Sequence, residues 1–143
     1  MHTRQVSVFL ENVKGRLAEV TRLLNEASIN IRALSLAETA RFGVLRLIVN
    51  DPDRCLSILR DHDLAAQVTE VIAVEVEDKP GGLNRILGVF DAEALNIEYM
   101  YAFVEKSGDN AIVVFKADEP ARAVESLRKR GIAVLPEDVI RNL

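Results

Sequence analysis

Two β-α-β-β-α-β units in tandem, an α+β fold, are predicted by three features of these 143 residues. The first is a repeat: VFLENVKGRL at 8–17 matches VEVEDKPGGL at 74–83, so that Glu11, Gly15 and Leu17 fall on Glu77, Gly81 and Leu83. Asn30-Ile31 falls on Asn96-Ile97 in the same register. Beyond an insertion near Ser107-Gly108, Pro52, Arg54, Leu59 and Arg60 fall on Pro120, Arg122, Leu127 and Arg128. The second is an apolar period that switches between about 2 and 3.6 within each copy. The third is that the shared residues sit at turns and element boundaries. The copies are expected to be 1–71 and 72–143.

Val6, Val8 and Leu10 alternate with Gln5, Ser7 and Phe9, which predicts a first strand. Leu17, Val20, Leu24 and Ala27 then fall on one helical face, as do Leu83, Ile86 and Phe90 in the second copy. Strands follow at 29–37 and 42–49, joined by a tight turn at Thr39-Ala40-Arg41. The matching turn in the second copy is Lys106-Ser107-Gly108-Asp109. Pro52 and Pro120 suit the first turn of a second helix that buries Leu56 and Leu59, or Val124 and Leu127. Final strands are expected at 65–71 and 132–135.

A short β-β connection forces an antiparallel pair, and each crossover through a helix is right-handed. Each copy is thus an antiparallel four-stranded sheet with two helices on one face, the ferredoxin-like arrangement, and its other face is expected to be bare. A unit of roughly 70 residues buries only about 60% of its unfolded surface, so the copies are expected to pack together. The stretch from Val68 to Glu77 is nearly continuous strand-like sequence, which predicts a stiff junction.

Eighteen Lys and Arg against twenty-two Asp and Glu leave a net charge of −4. All of it lies in 72–143, where thirteen acidic residues face nine basic ones. That balance argues against a nucleic-acid partner, which needs a basic face. The single cysteine, Cys55, excludes an internal disulfide and every Cys-rich metal pattern. The apolar run at 6–10 is too short for a signal peptide, and no run approaches membrane-spanning length. The expectation is a soluble cytoplasmic protein with no membrane partner.

No catalytic constellation survives inspection. Arg41-Phe42-Gly43-Val44-Leu45 resembles an RNA-recognition strand without its second stacking aromatic. His62 stands near a helix end, where the dipole accounts for it, and Cys55 has no neighbouring base. Glu75 and Glu77 lack a partner group for acid–base work, and Lys129-Arg130 needs only the helix dipole. Neither an enzyme nor a cofactor or metal site is expected.

The two loops after the first strands carry the functional signal. Glu11-Asn12-Val13-Lys14-Gly15-Arg16-Leu17 and Glu77-Asp78-Lys79-Pro80-Gly81-Gly82-Leu83 each join a strand to a helix. The first helical turn leaves amide N–H groups that favour a carboxylate, and Asn12 or Asp78 offers an oxygen to an ammonium group. Together these describe a free α-amino acid. Alternatively, Asn12 and Asp78 cap the helices and the glycines only permit the turn.

The topology, the D/N-x-P/x-G-x-L loop and the Ile-Asn-Ile or Leu-Asn-Ile at the start of strand two resemble the ACT domain family, over essentially the whole chain. That resemblance implies a non-catalytic regulatory module binding an amino acid where two units meet side by side. It implies one site from Asn12, Gly15, Arg16 and Leu17 with Asn96, Ile97 and Glu98, and another from Asp78, Pro80, Gly81, Gly82 and Leu83 with Asn30, Ile31 and Arg32. Lys14 stands where the fuller pattern has the proline that Pro80 keeps. The resemblance implies a polar side chain at the end of strand one for serine binding, so apolar Leu10 and Val76 argue against serine, and Tyr99 and Tyr101 either enclose a larger ligand or pack in the core or a dimer interface. The expected partners are an amino acid, a second copy in a homodimer, and an amino-acid metabolic enzyme. The other reading is a ligand-free interaction subunit resembling the small subunit of acetolactate synthase.

Overall fold

The computed structural model describes residues 2–38, 41–105 and 107–143, so the expected turn residues Thr39, Ala40 and Lys106 lie outside the described residues. The elements run β1 (Thr3–Glu11), α1 (Arg16–Glu26), β2 (Ile31–Glu38), β3 (Phe42–Val49), α2 (Pro52–Asp61) and β4 (Ala65–Glu77). Then follow α3 (Gly82–Ala92), β5 (Ile97–Ala102), β6 (Asn110–Ala117), α4 (Pro120–Lys129), β7 (Val134–Leu135) and α5 (Glu137–Arg141). This is the α+β class with antiparallel strand pairing that the repeat predicts. Arg4–Thr69 forms one compact unit, and Glu70–Leu143, with His2 and Thr3, forms a second.

In the first unit β3 is the central strand. It pairs antiparallel with β1, Glu11 opposite Phe42, and with β2, Ile31 opposite Val49. Val6, Val8 and Leu10 of β1 and Leu45, Leu47 and Val49 of β3 share one buried cluster with Val20 and Leu24 of α1 and Cys55 and Leu59 of α2. One strand parity and both helices therefore meet on the same sheet face. Pro52 opens α2, and the Asp51 side chain accepts a hydrogen bond from the Arg54 N–H at 3.2 Å. Leu17, expected on the buried face of α1, is instead 41% exposed. It stands in the first helical turn, clear of that cluster and beside the loop.

The second unit repeats the pattern. β6 pairs with β4, Glu77 opposite Asn110, and with β5, Ile97 opposite Ala117, while β7 adds to β4. Ile72, Val74 and Val76 pack with Ile86 and Phe90 of α3, Phe115 of β6, and Val124 and Leu127 of α4. The Phe90 and Phe115 rings lie 5.3 Å apart between centroids and tilted by 31°, a favourable aromatic contact.

Two features depart from expectation. The sheet face away from the helices is not bare: Gln5, Ser7 and Ile48 are buried in the first unit, as are Val71, Ala73, Ile112 and Val114 in the second. The runs 71–74 and 111–115 are apolar at both parities, the pattern of strands buried on two faces. Beyond the expected last strand, α5 adds a short helix whose Ile140 is fully buried.

Candidate functional site

Both loops end in the same unusual way. The residue preceding α1 is Gly15 at φ 84° and that preceding α3 is Gly81 at φ 87°, a left-handed backbone that a side chain strains against. A glycine at this position brings no side chain of its own to cap either helix. Asn12 and Asp78 are exposed in the loops that lead into these first turns, whose leading amide N–H groups have no intrahelical partner.

Each loop overhangs a cleft, and six lining positions of the two clefts correspond under the repeat. In the first unit Asn12, Arg16 and Leu17 line a space of about 120 Å³ with Leu10, Glu11, Val13, Leu36, Glu38 and Gly43. In the second, Asp78, Pro80 and Leu83 line about 480 Å³ with Val76, Glu77, Lys79, Ala111 and Val113. Gly15, Gly81 and Gly82 shape the loops without lining the clefts. The backbone N–H of Asn12 donates to the Arg41 carbonyl at 2.9 Å, tying the first loop to the segment before β3.

The second loop is the tighter one. The Gly82 N–H donates to the Lys79 carbonyl at 3.0 Å, whereas the Arg16 N–H reaches the Val13 carbonyl only at 3.4 Å. A Cβ on Gly82 would collide with the carbonyl oxygen of Glu77 and stand 3.0 Å from its carbon. Glu77 is exposed and bridges to Lys79 at 2.6 Å and to Arg85 at 4.0 Å. The hydrogen bond from Lys79, then its charge, hold the Glu77 carboxyl below the usual carboxylate range.

The remaining site residues stand at the starts of β2 and β5. The Asn30 N–H donates to Asn50 Oδ1 at 2.9 Å, and the Asn50 N–H returns a bond to the Asn30 carbonyl at 3.1 Å. Asn96 and Asp118 make the same reciprocal pair, both bonds 3.1 Å. A register shift follows at Arg32 in β2 and at Glu98 in β5, the local kink that re-aims a side chain. Asn50 and Asp118 escaped the sequence reading, although both directly precede the acidic residue and proline that open a helix. Tyr99 and Tyr101 are half-buried opposite Lys116 and Val114, on the parity that faces away from the helices.

Strand register separates these two groups within a unit. The loop end of β1 lies at Phe42 of β3, whereas Ile31 lies at Val49, seven residues and about 23 Å along the strand. In the second unit Glu77 meets Asn110 and Ile97 meets Ala117. No single unit closes a cradle from its own loop and its own strand start.

Elsewhere, chemistry is quiet. Burial, and secondarily the charge of Asp51, push the Cys55 thiol up from 9.0 to about 12. At pH 8 its thiolate population is about a thousandfold lower than that of an ordinary cysteine. An aromatic disulfide reagent is therefore expected to label Cys55 only after denaturant is added, and prompt labelling of the native protein would contradict this burial. Glu75 accepts from Ser107 Oγ at 2.6 Å and from Asn110 Nδ2 at 3.3 Å, so its carboxylate is held by neutral donors. Among the described residues no group of three or more His, Cys, Asp or Glu is placed to hold a metal ion. No described helix is long and apolar enough to cross a membrane.

Comparison with known proteins gives a consistent picture. The family model described as ACT domain pair matches residues 1–143. Protein BT0572 from Bacteroides thetaiotaomicron is similar at 38% identity with a TM-score of 0.94, over 100% of this chain and 98% of that one. The ligand-free regulatory subunit of aspartate kinase from Thermus thermophilus has a similar fold, with 16% identity, a TM-score of 0.62, and coverage of 90% and 91%. Escherichia coli aspartokinase III, solved in complex with lysine and aspartate, has a similar fold over 91% of this chain and 31% of its own, with 17% identity and a TM-score of 0.55. No curated protein matches.

Proposed function

This chain belongs to the family of ACT domain pairs, and from that premise we propose that it is a non-catalytic regulatory module that binds a free amino acid where two ACT units meet. The carrying observation is the doubled arrangement of a helix start led by a left-handed glycine, an open cleft and one exposed Asn or Asp. Amides at the helix start take the ligand carboxylate, and Asn12 or Asp78 takes its ammonium group. Asn96, Ile97 and Glu98, with Tyr99 beside them, complete the first cradle; Asn30, Ile31 and Arg32 complete the second. Since loop and strand start lie at opposite ends of a unit, each cradle draws on two units, and the protein works as a homodimer of tandem pairs.

Coupling follows from that geometry. A ligand that bridges two units favours the arrangement in which both halves of its cradle face it, and the strength of the signal equals its preference between arrangements. A partner that distinguishes those arrangements, such as an enzyme of amino-acid metabolism, reads the occupancy. The aspartokinase III structure with bound lysine supports looking first at amino acids of that kind, by likeness of fold alone.

The test is a thermal-shift screen of the common amino acids against the whole chain. One specific ligand at a hundred times its Kd is expected to add about 2.7 kcal/mol, a shift of several degrees. A flat response across the set, with a stable enzyme partner recovered from the native cell, would replace this reading with that of a ligand-free interaction subunit.

A further inference from the structure

A second pair of matching clefts lies on the other flank of the loops, and the two members have diverged. The first, about 390 Å³, lies between the end of β1, the start of β3 and the segment joining α2 to β4. Phe9 and Phe42 line it at 44% and 58% exposure, with Glu11, Asp63 and His62. The second, about 150 Å³, places Glu75, Glu77, Asn110 and Gly131 at the corresponding positions.

The second cleft satisfies itself. Glu75 is bonded by Ser107 and Asn110, and Glu77 is met by Lys79 and Arg85. In the first unit Val13 and Glu19 stand where Lys79 and Arg85 stand in the second, so those two cations are absent, and Arg16 lines the cleft. Arg16 is engaged by Glu19 at 3.1 Å, and the Glu11 and Asp63 side chains have no hydrogen-bond or ion-pair partner among the described residues. What remains is a cleft with two exposed phenyl rings on its wall, two carboxylates without a bonded partner at its rim, and an Arg16 already engaged by Glu19.

We propose that this cleft of the first unit is a separate binding site for an organic cation, an ammonium group carried on an apolar or aromatic body. Phenyl faces attract both parts of such a molecule, the body by burial and the cation through the ring quadrupole, and Glu11 supplies the charge-assisted partner. The site shares Leu10, Glu11 and Arg16 with the cleft on the other flank of the same loop, but uses neither Asn12, Asp78 nor the strand starts.

The probe is 2-phenylethylamine, titrated into the whole chain by calorimetry and by ligand-observed NMR, beside 3-phenylpropionate, which has a similar body and the opposite charge. One saturable event per chain is expected for the amine, and none for the acid. Glu11→Gln is expected to weaken it about tenfold, and Phe42→Asn, which copies the second cleft, to weaken it similarly. Val13→Lys, which restores the missing cation, should abolish it. All three positions are exposed, and retention of the circular-dichroism spectrum verifies folding. Absence of saturable amine binding, equal binding of the acid, or indifference to both Glu11→Gln and Phe42→Asn would overturn the site. Asn12→Ala and Asp78→Ala should both leave the amine untouched, so failure of the amino-acid reading is distinguishable from failure of this one.

Discussion

Gly82→Ala is expected to cost about 3 kcal/mol, near the upper end for inserting one methyl group where none fits. The cause is backbone, not side chain. A Cβ at this position meets the Glu77 carbonyl, and a peptide oxygen at the end of a paired strand has nowhere to go. Relief requires opening the bond from the Gly82 N–H to the Lys79 carbonyl, which closes the loop, or shifting the start of α3 off its core. Arg16 occupies the same position in the first unit with a full side chain, and there the equivalent bond is 0.4 Å longer, 3.4 Å against 3.0 Å. Chemical denaturation measures the loss; a change below about 1 kcal/mol would mean that the second loop relaxes to the first loop's geometry at little cost. The variant is also expected to lose ligand response first at the second cleft, since Asp78 and Pro80 ride on the same turn.

The same positions explain why so much was legible in the sequence. A repeat is detectable when its shared residues do something that few other residues do. Gly15 and Gly81 adopt a left-handed backbone, Asn30 and Asn96 begin reciprocally bonded strand starts, and Pro52 and Pro120 open helices without needing an N–H. Those constraints are local, so a linear reading finds them. The buried second face of the sheets is not local. Its signal, unbroken apolar runs in β4 and β6, competes with the alternation that marks a sheet with one wet face, and the ferredoxin-like template favoured alternation. A five-residue helix such as α5 is too short to show any period.

The candidate site divides in the same way. The loops and strand starts are read from residue identity; the clefts are not, because their floors come from residues far away in sequence. Gly43 and Ala111 correspond under the repeat and underlie the two loops, yet nothing local marks them. Leu17 was misassigned to the core for a related reason. Helical periodicity places it on the apolar face, but the first turn projects past the sheet, and the side chain lines the cleft instead.

Asp78→Ala is expected to weaken amino-acid binding by tenfold to a hundredfold, the loss of one charge-assisted contact of about 1.5–3 kcal/mol. The fold should survive, because Asp78 is exposed in a loop outside the buried cluster of its unit. Asn12→Ala probes the other loop with a neutral acceptor, and its smaller expected effect orders the two sites. Calorimetry on both variants separates three cases. If only Asp78→Ala matters, the second loop holds the ligand and the narrower first cleft stays empty. If each removes one of two binding events, both cradles are used. Unchanged affinity in both variants would remove the loops from the binding site altogether. Oligomeric state then becomes the deciding quantity: because the register places loop and strand start about 23 Å apart within a unit, binding that involves both must involve two units. Ligand should accordingly strengthen whatever association brings them together, and sedimentation with and without it should show that gain in the parent chain and its loss in Asp78→Ala.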